Sequence, residues 1–182
     1  MDLKLTDEQL LELIRLNKES GFRSLMKQFQ EQTYWHIRRM VTTHEDADDV
    51  VQNTFIKVFR NLDKFKGNSK LYTWIYRIAT NESLTFLKNR KRRQSESIDD
   101  TENTIEHNLK ADAYFDGNNV QMILQKAIIA LPDKQKAVFN LRYYEEMPYS
   151  EMAEVLDTSV GALKASYHHA VKKIEEYIKN GK

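Results

Sequence analysis

The chain reads as all-α: two small helical domains joined by a flexible acidic linker, the second containing a helix-turn-helix. Three observations carry this reading. Apolar residues recur at spacings of three and four nearly throughout. Only five Gly and two Pro occur in 182 residues, few for a β-rich chain with many turns. Between Gln94 and Asn119 the periodicity fades and Asp, Glu, Asn, Ser and Thr dominate, which divides the chain into 1–93, 94–119 and 120–182.

Taken in order, Thr6 with Gln9 three residues on has the pattern of a capping box, ahead of Leu10, Leu11, Leu13 and Ile14. Gly21 punctuates before a second run: Phe22, Leu25, Met26, Phe29, Ile37, Met40 and Val41. Thr43 with Asp46 marks a third helix start, followed by one stripe through Ala47, Val50, Val51, Thr54, Phe55, Val58, Phe59 and Leu62. Residues 64–70 form a polar, glycine-containing loop. A fourth helix turns Leu71, Trp74, Ile75, Ile78, Ala79 and Phe86 inward and ends in five cations within residues 88–93. In the linker, transient helix is expected only around 105–114. The pattern resumes with Val120, Ile123, Leu124, Ala127, Ile128 and Leu131, and again after Pro132 with Val138, Phe139 and Leu141. Ser150 is the expected N-cap of a short helix through Met152, Ala153, Val155 and Leu156. Asp157-Thr158 turns, and Ser159 caps a long helix with Val160, Leu163, Tyr167, Ala170 and Ile174 inward.

The net charge of +1 hides a strong segregation. Residues 50–93 carry +9 and residues 94–119 carry −6. Such blocks suggest a polyanionic partner and an acidic connector, against the plainer reading of solvated surface. There is no Cys, and the five His form no zinc-binding spacing, so thiol chemistry is excluded and no metal or cofactor is expected. The start lacks a signal peptide's apolar run and no stretch is long enough to span a bilayer. A cytoplasmic protein with no membrane insertion of its own is expected.

Three constellations stand out. The C-terminal pair of helices fits a helix-turn-helix, with Ala153 small where the second helix crosses closely. Its apolar stripe leaves Ser159, Gly161, Ala162, Lys164, Ala165, Ser166 and His168 facing out, with Lys172 farther along. An ordinary helical hairpin remains open on this segment alone. In the fourth helix, Tyr72, Trp74, Tyr76, Arg77 and Asn81 lie upstream of the basic run that includes Arg90 and Arg92. Rings stack on bases, cations hold phosphates and Asn reads a base edge, which suits unstacked DNA. Trp74 is partly core on this reading, and Tyr72 and Tyr76 are the more exposed pair. The preceding loop, with Lys64, Lys66, Asn68 and Ser69, has the length to close around one flipped base. Third, Asp46, Asp48 and Asp49 open a helix that continues to Gln52, Asn53 and Phe55. Four carboxylates in residues 45–49 exceed what a helix dipole needs, and they make a plausible protein-docking surface.

These constellations, in this order, resemble the extracytoplasmic-function (ECF) subfamily of bacterial sigma-70 factors. Asp46-Ala47-Asp48-Asp49-Val50-Val51-Gln52-Asn53-Thr54-Phe55 resembles the family's polymerase-binding helix. Thr73-Trp74-Ile75-Tyr76-Arg77-Ile78-Ala79-Thr80-Asn81 resembles its minus-ten helix. Leu131-Pro132-Asp133 onward, Tyr149-Ser150-Glu151-Met152-Ala153 and Ser159-Val160-Gly161-Ala162-Leu163-Lys164 resemble its second domain. The resemblance implies a non-enzymatic subunit that binds core RNA polymerase and promoter DNA, often restrained by an anti-sigma factor that is commonly membrane-anchored. It implies core docking through Asp46, Asp48, Asp49, Gln52, Asn53 and Phe55. Minus-ten contacts would come from Lys64, Lys66, Asn68, Ser69, Tyr72, Trp74, Tyr76, Arg77, Asn81, Arg90 and Arg92. Minus-thirty-five contacts would come from Ser159, Gly161, Ala162, Lys164, Ser166, His168 and Lys172. The family usually has Thr at the position of Ala162, Ser at Ala165, and a basic residue at Ser166 and His169. The alternative is a helix-turn-helix regulator acting without core binding; rivals from other classes are a helical nuclease with metal-binding carboxylates and a structural adaptor.

Overall fold

The structure, a computed structural model, describes residues 4–95 and 119–180. Most of the expected linker, with its proposed helix near 105–114, lies outside the described residues. Among those described there are eight α-helices and no strand. The first half holds α1 (Asp7–Leu16), α2 (Lys18–Met40), α3 (His44–Asn61) and α4 (Leu71–Ser95), with a 3₁₀ turn at Leu62–Lys64. The second holds α5 (Asn119–Ile129), α6 (Asp133–Tyr143), α7 (Tyr149–Leu156) and α8 (Val160–Asn180).

The helix starts follow local chemistry. Thr6 and Gln9 form the reciprocal capping box. Thr43 accepts from the Asp46 amide, and Ser159 Oγ accepts from the Ala162 amide. Ser150 is not the cap of α7. That helix starts at Tyr149 behind Pro148, whose carbonyl accepts from Met152 at 3.0 Å, so Ser150 lies in the first turn. Asp157 ends α7 in the left-handed region at φ 50°, a conformation that Asp tolerates better than most residues.

Gly21 does not separate two runs. Asn17 both ends α1, through its amide to Leu13, and caps α2, through its side chain to Ser20. Gly21 sits inside α2 because α1 crosses there. A Cβ at Gly21 would lie 2.5 Å from the Ile14 amide nitrogen, so only a missing side chain admits the crossing.

The core of the first half gathers Leu10, Leu25, Phe29, Ile37, Val50, Phe55, Val58, Leu71, Ile75 and Ala79. The second half packs Ala127, Ile128, Leu131, Phe139, Ala170 and Ile174. A third cluster joins the halves: Tyr76 from α4 packs with Val138, Leu141, Met147, Met152, Val155 and Leu163. Helix α4 therefore touches α2 and α3 on one side, and α6 and α7 on the other. Val160 departs from the expected inward stripe and is 38% exposed, because α8 enters its own core only from Leu163.

Gly21→Ala tests the crossing. An open helix site would gain about 1 kcal/mol from this change, whereas overpacking costs about 1–3 kcal/mol. The clash is with backbone, so the melting temperature should fall, as thermal unfolding followed by circular dichroism would show.

Candidate nucleic-acid interface

The helix-turn-helix forms as expected. Leu163, Ala170 and Ile174 of α8 are buried, and Gly161, Ala162, Lys164, Ala165, His168 and Lys172 are exposed. Ser159 is exposed just before the helix, while Ser166 is half-buried and contributes less to the free face. Lys164 Nζ lies 5.9 Å from the centre of the Tyr149 ring, and Arg142 lies 5.1 Å from the same ring. Lys164 is also the one Lys or Arg between Arg142 and Lys172 in the sequence. Arg142 and Lys164 thus flank one aromatic ring near the start of α8.

The acidic helix start divides. Asp48, Asp49, Gln52 and Asn53 are exposed on α3. Asp48 pairs loosely with His44 at 3.5 Å. Asp46 instead binds Arg90 at 2.8 Å, so two residues expected at separate interfaces neutralise each other inside the first half. Phe55 is a core residue, 4% exposed, because it falls on the apolar stripe with Val51 and Val58. It helps floor an apolar groove of about 630 Å³ between α2 and α3, with Phe22, Met26, Val51, Ile56 and Phe59, rimmed by Asp48 and Gln52.

The expected minus-ten cluster separates into two faces of α4. At about 100° per residue, Trp74, Arg77 and Asn81 fall within about 60° of one another, while Tyr72 and Tyr76 lie roughly 160° from Trp74. Arg77 and Asn81 are exposed, as are Lys64, Lys66 and Asn68 in the loop, where Gly67 takes φ 73°. Ser69 and Trp74 are half-buried, Trp74 against Phe65 at 5.0 Å. Arg92 is exposed near the end of α4. Tyr72 and Tyr76 are not the exposed pair expected. Their rings meet at 4.3 Å, Tyr72 is half-buried, and Tyr76 is 0% exposed under the second half.

What covers Tyr76 is a polar network that spans both halves. The Tyr76 hydroxyl donates to Glu145 Oε2 at 2.8 Å, and Arg39 donates to Glu145 Oε1 at 2.7 Å. Arg39 also lies 4.5 Å from the Tyr144 ring centre. Burial raises the Glu145 carboxyl above its ordinary range, an effect opposed by Tyr76 and Arg39; burial, then Glu145, pushes the Tyr76 phenol upward. Asn140 donates to the Arg39 carbonyl at 3.2 Å, but its own Oδ1 is buried without a partner. Such an unsatisfied group costs about 1–3 kcal/mol. At the rim, Glu151 accepts from Lys70 at 2.6 Å and Thr73 at 3.2 Å, and Lys91 pairs with Asp133 at 2.7 Å. Arg39, Asn140, Glu145 and Glu151 carry no local signal for these roles: Arg39 and Glu145 stand 106 residues apart.

The two regions have known counterparts. Residues 25–93 match the Sigma-70 region 2 family model, and residues 121–174 match Sigma-70 region 4. Region 2 followed by region 4 is the domain pair of a sigma-70-type initiation factor. The ECF RNA polymerase sigma-E factor of Haemophilus influenzae is 32% identical, covering 96% of each chain. That of Escherichia coli K12 is 29% identical, covering 98% of this chain and 97% of the relative. The chain belongs to the ECF sigma factors, which bind core RNA polymerase and direct promoter-specific initiation. Two solved structures share the fold. CnrH in complex with the cytosolic domain of CnrY aligns at TM-score 0.71 and 20% identity, over 97% of this chain and 99% of CnrH. The sigma factor RpoE in complex with the anti-sigma factor NepR from Bartonella quintana aligns at 0.69 and 21%, over 87% of this chain and 96% of RpoE. A helix-turn-helix regulator acting alone would leave the region 2 match unexplained. Among the described residues no helix is long and apolar enough to cross a membrane.

His36 supplies a test of the packing around Tyr76. It is 0% exposed, its Nε2 lies 2.8 Å from Thr80 Oγ1, its Nδ1 has no partner, and its ring lies 4.7 Å from that of Tyr76. Burial, and then the Arg39 charge, pushes its pKa down to about 3. An unfolded His titrates near ~6.5. The unfolded chain therefore binds a proton that the folded one refuses. The stabilisation is complete above pH ~6.5 and is lost as pH falls toward about 3, by up to ~1.4 kcal/mol per pH unit. Between pH 6.5 and 5, above most carboxylate titrations, wild-type thermal stability should decline on acidification, and His36→Phe combined with Thr80→Val should flatten that decline.

Proposed function

We propose that this chain attaches to core RNA polymerase through the exposed acidic face of α3 and reads promoter DNA with two separate surfaces. The observation that carries this is the pairing of an exposed acidic helix beside an apolar groove in one half with an open recognition helix in the other. Asp48, Asp49, Gln52 and Asn53 would contact the polymerase, with Asp46 held back by Arg90. The loop with Lys64, Lys66, Asn68 and Ser69 would receive a base displaced from the melted minus-ten strand, beside Arg77 and Asn81. Tyr72 and Tyr76 would add stacking once uncovered, and Arg92 would hold phosphate. Trp74, packed on Phe65, would shape this surface more than it touches bases. On the minus-thirty-five duplex, Ser159, Gly161, Ala162 and Lys164 would enter the major groove, with His168 and Lys172 along the flank and Ser166 as a minor contributor.

The polymerase would supply the phosphodiester chemistry, so this chain would act without catalytic residues or cofactor. The protein would work in the cytoplasm. An anti-sigma factor is its expected regulator, in keeping with the anti-sigma complex of the RpoE neighbour.

Two substitutions test the two ends. Asp49→Lys should weaken capture by core polymerase while circular dichroism stays unchanged; equal capture would remove α3 from the interface. Lys164→Ala should lower transcription severalfold to more than a hundredfold, since one good base contact contributes about 1–3 kcal/mol. A base contact would relax preference at one minus-thirty-five position, whereas a phosphate contact would weaken all sequences alike and flatten the salt dependence. Wild-type transcription across a range of salt would exclude α8 as the reader.

A further inference from the structure

We infer that His168 and His169 on α8 are proton-dependent contacts to the minus-thirty-five duplex, so that DNA binding at this end takes up protons and tightens as pH falls. This rests on the reading of α8 as the recognition helix. It adds His169 to that surface and makes both contacts conditional on charge.

Helix geometry sets where the two rings stand. At ~100° per residue, Lys172 lies opposite the buried Leu163, Ala170 and Ile174, with His168 ~40° to one side and His169 ~60° to the other. Both imidazoles are exposed, and their ring centres are 6.0 Å apart. Gly161 and Ala165 fall within ~20° of the Lys172 direction, toward the start of the helix. Helical side chains lean toward the N-terminus, so the imidazoles reach along a side that carries little bulk. Small residues there let a duplex come close.

An imidazolium on this face has no anionic partner within the chain. From Val160 to Lys172, α8 has two lysines and no carboxylate. Neither imidazole forms a hydrogen bond or ion pair among the described residues. Three helices pack against α8. Of these, α5 bears Lys126, and α6 bears Asp133, Lys134, Lys136, Arg142 and Tyr143. Helix α7 bears Tyr149, Glu151 and Glu154. Asp133 pairs with Lys91 and Glu151 with Lys70, while Arg142 and Lys164 lie against Tyr149. In the turns, Glu145 binds Arg39, Tyr144 lies under Arg39, and Glu146 and Asp157 are exposed. On α8 itself, Lys164 and Lys172 stand one turn before and after His168, and Lys173 donates to Gln135 at 3.0 Å. Glu175 follows His168 by two turns.

DNA supplies the missing anion, at one negative charge per ~1.7 Å of duplex axis. A neutral imidazole donates from one nitrogen, whereas an imidazolium donates from both and carries a charge. That change falls between about pH 5 and 8 for an unperturbed imidazole. Protonating both rings takes the stretch from Val160 to Lys172 from two cations to four. Phosphate favours the charged rings, so the complex holds more protons than its free components, and by linkage its affinity rises as pH falls.

The test uses holoenzyme made from core polymerase and the full chain. A labelled duplex from a promoter that it transcribes is titrated by fluorescence anisotropy at about pH 6 and about pH 8, which span the imidazole range. Comparing variants with wild type at each pH cancels the pH dependence of the polymerase. His168→Gln combined with His169→Gln should weaken binding roughly tenfold at the lower pH, the size expected when hydrogen bonds to charged groups are lost. The gap should close toward the higher pH. For wild type, the slope of log affinity against log salt should steepen on acidification by about 0.9 per added phosphate contact. His168→Lys combined with His169→Lys should keep, at the higher pH, the affinity that wild type reaches only at the lower one. Both positions are exposed, so circular dichroism should not change.

A glutamine pair that binds like wild type at the lower pH overturns the inference. So does one that loses affinity equally at both pH values, because the contacts would then owe nothing to the proton. Lys164→Ala separates this result from the reading beneath it. If Lys164→Ala weakens binding while the glutamine pair does not, α8 still reads the DNA and only the imidazoles are excluded. If neither weakens binding, α8 is not the reader and both conclusions fall.

Discussion

Helix α4 has to satisfy neighbours on two sides, and the rest of the architecture follows from that demand. Leu71, Ile75 and Ala79 bury into the first-half core, while Tyr76 serves a cluster made of second-half residues. A helix with one apolar stripe would have left its other face to water. Here Tyr76 supplies both apolar area and a hydroxyl, so the second contact is at once packed and polar. The hydroxyl needs an acceptor when buried, and Glu145 provides it; the buried carboxylate in turn needs a cation, and Arg39 provides that. Removing any member strands the others.

That arrangement explains why charge segregation in the sequence is only partly expressed as free surface. Some of the excess positive charge of residues 50–93 is spent internally, Arg90 on Asp46 and Lys91 on Asp133. What remains outward is concentrated in the loop around Gly67 and on the Arg77 side of α4. The acidic start of α3 is likewise thinned by one carboxylate. The surfaces left for polymerase and DNA are smaller and better separated than a count of charges suggests. They also sit next to apolar ground: the groove between α2 and α3 lies beside Asp48 and Gln52.

Much of the fold is legible in local spacing. The caps at Thr6, Thr43 and Ser159 act over three residues, so sequence proximity is enough to find them. Ser150 has the residue type of a cap but not its position, because Pro148 starts α7 two residues earlier without any side-chain cap. Gly21 is ambiguous in the sequence because glycine marks both helix ends and close crossings, and only the position of Ile14 tells them apart. In the candidate site, the exposure of Asp49, Asn53, Arg77 and Lys164 follows from the stripe opposite them. The burial of Tyr76 does not, because it depends on Glu145, 69 residues away.

The sequence by itself determined the helical class, the division into two units, the helix-turn-helix and the ECF family pattern, because each rests on periodicity or on short motifs whose partners are near in the chain. The tertiary structure alone decided which face of α4 is free, that Asp46 and Arg90 consume each other, and that the two halves meet through Arg39, Glu145 and Tyr76. Those outcomes depend on pairs 44 to 106 residues apart, and the charge of a residue does not say which distant partner will neutralise it.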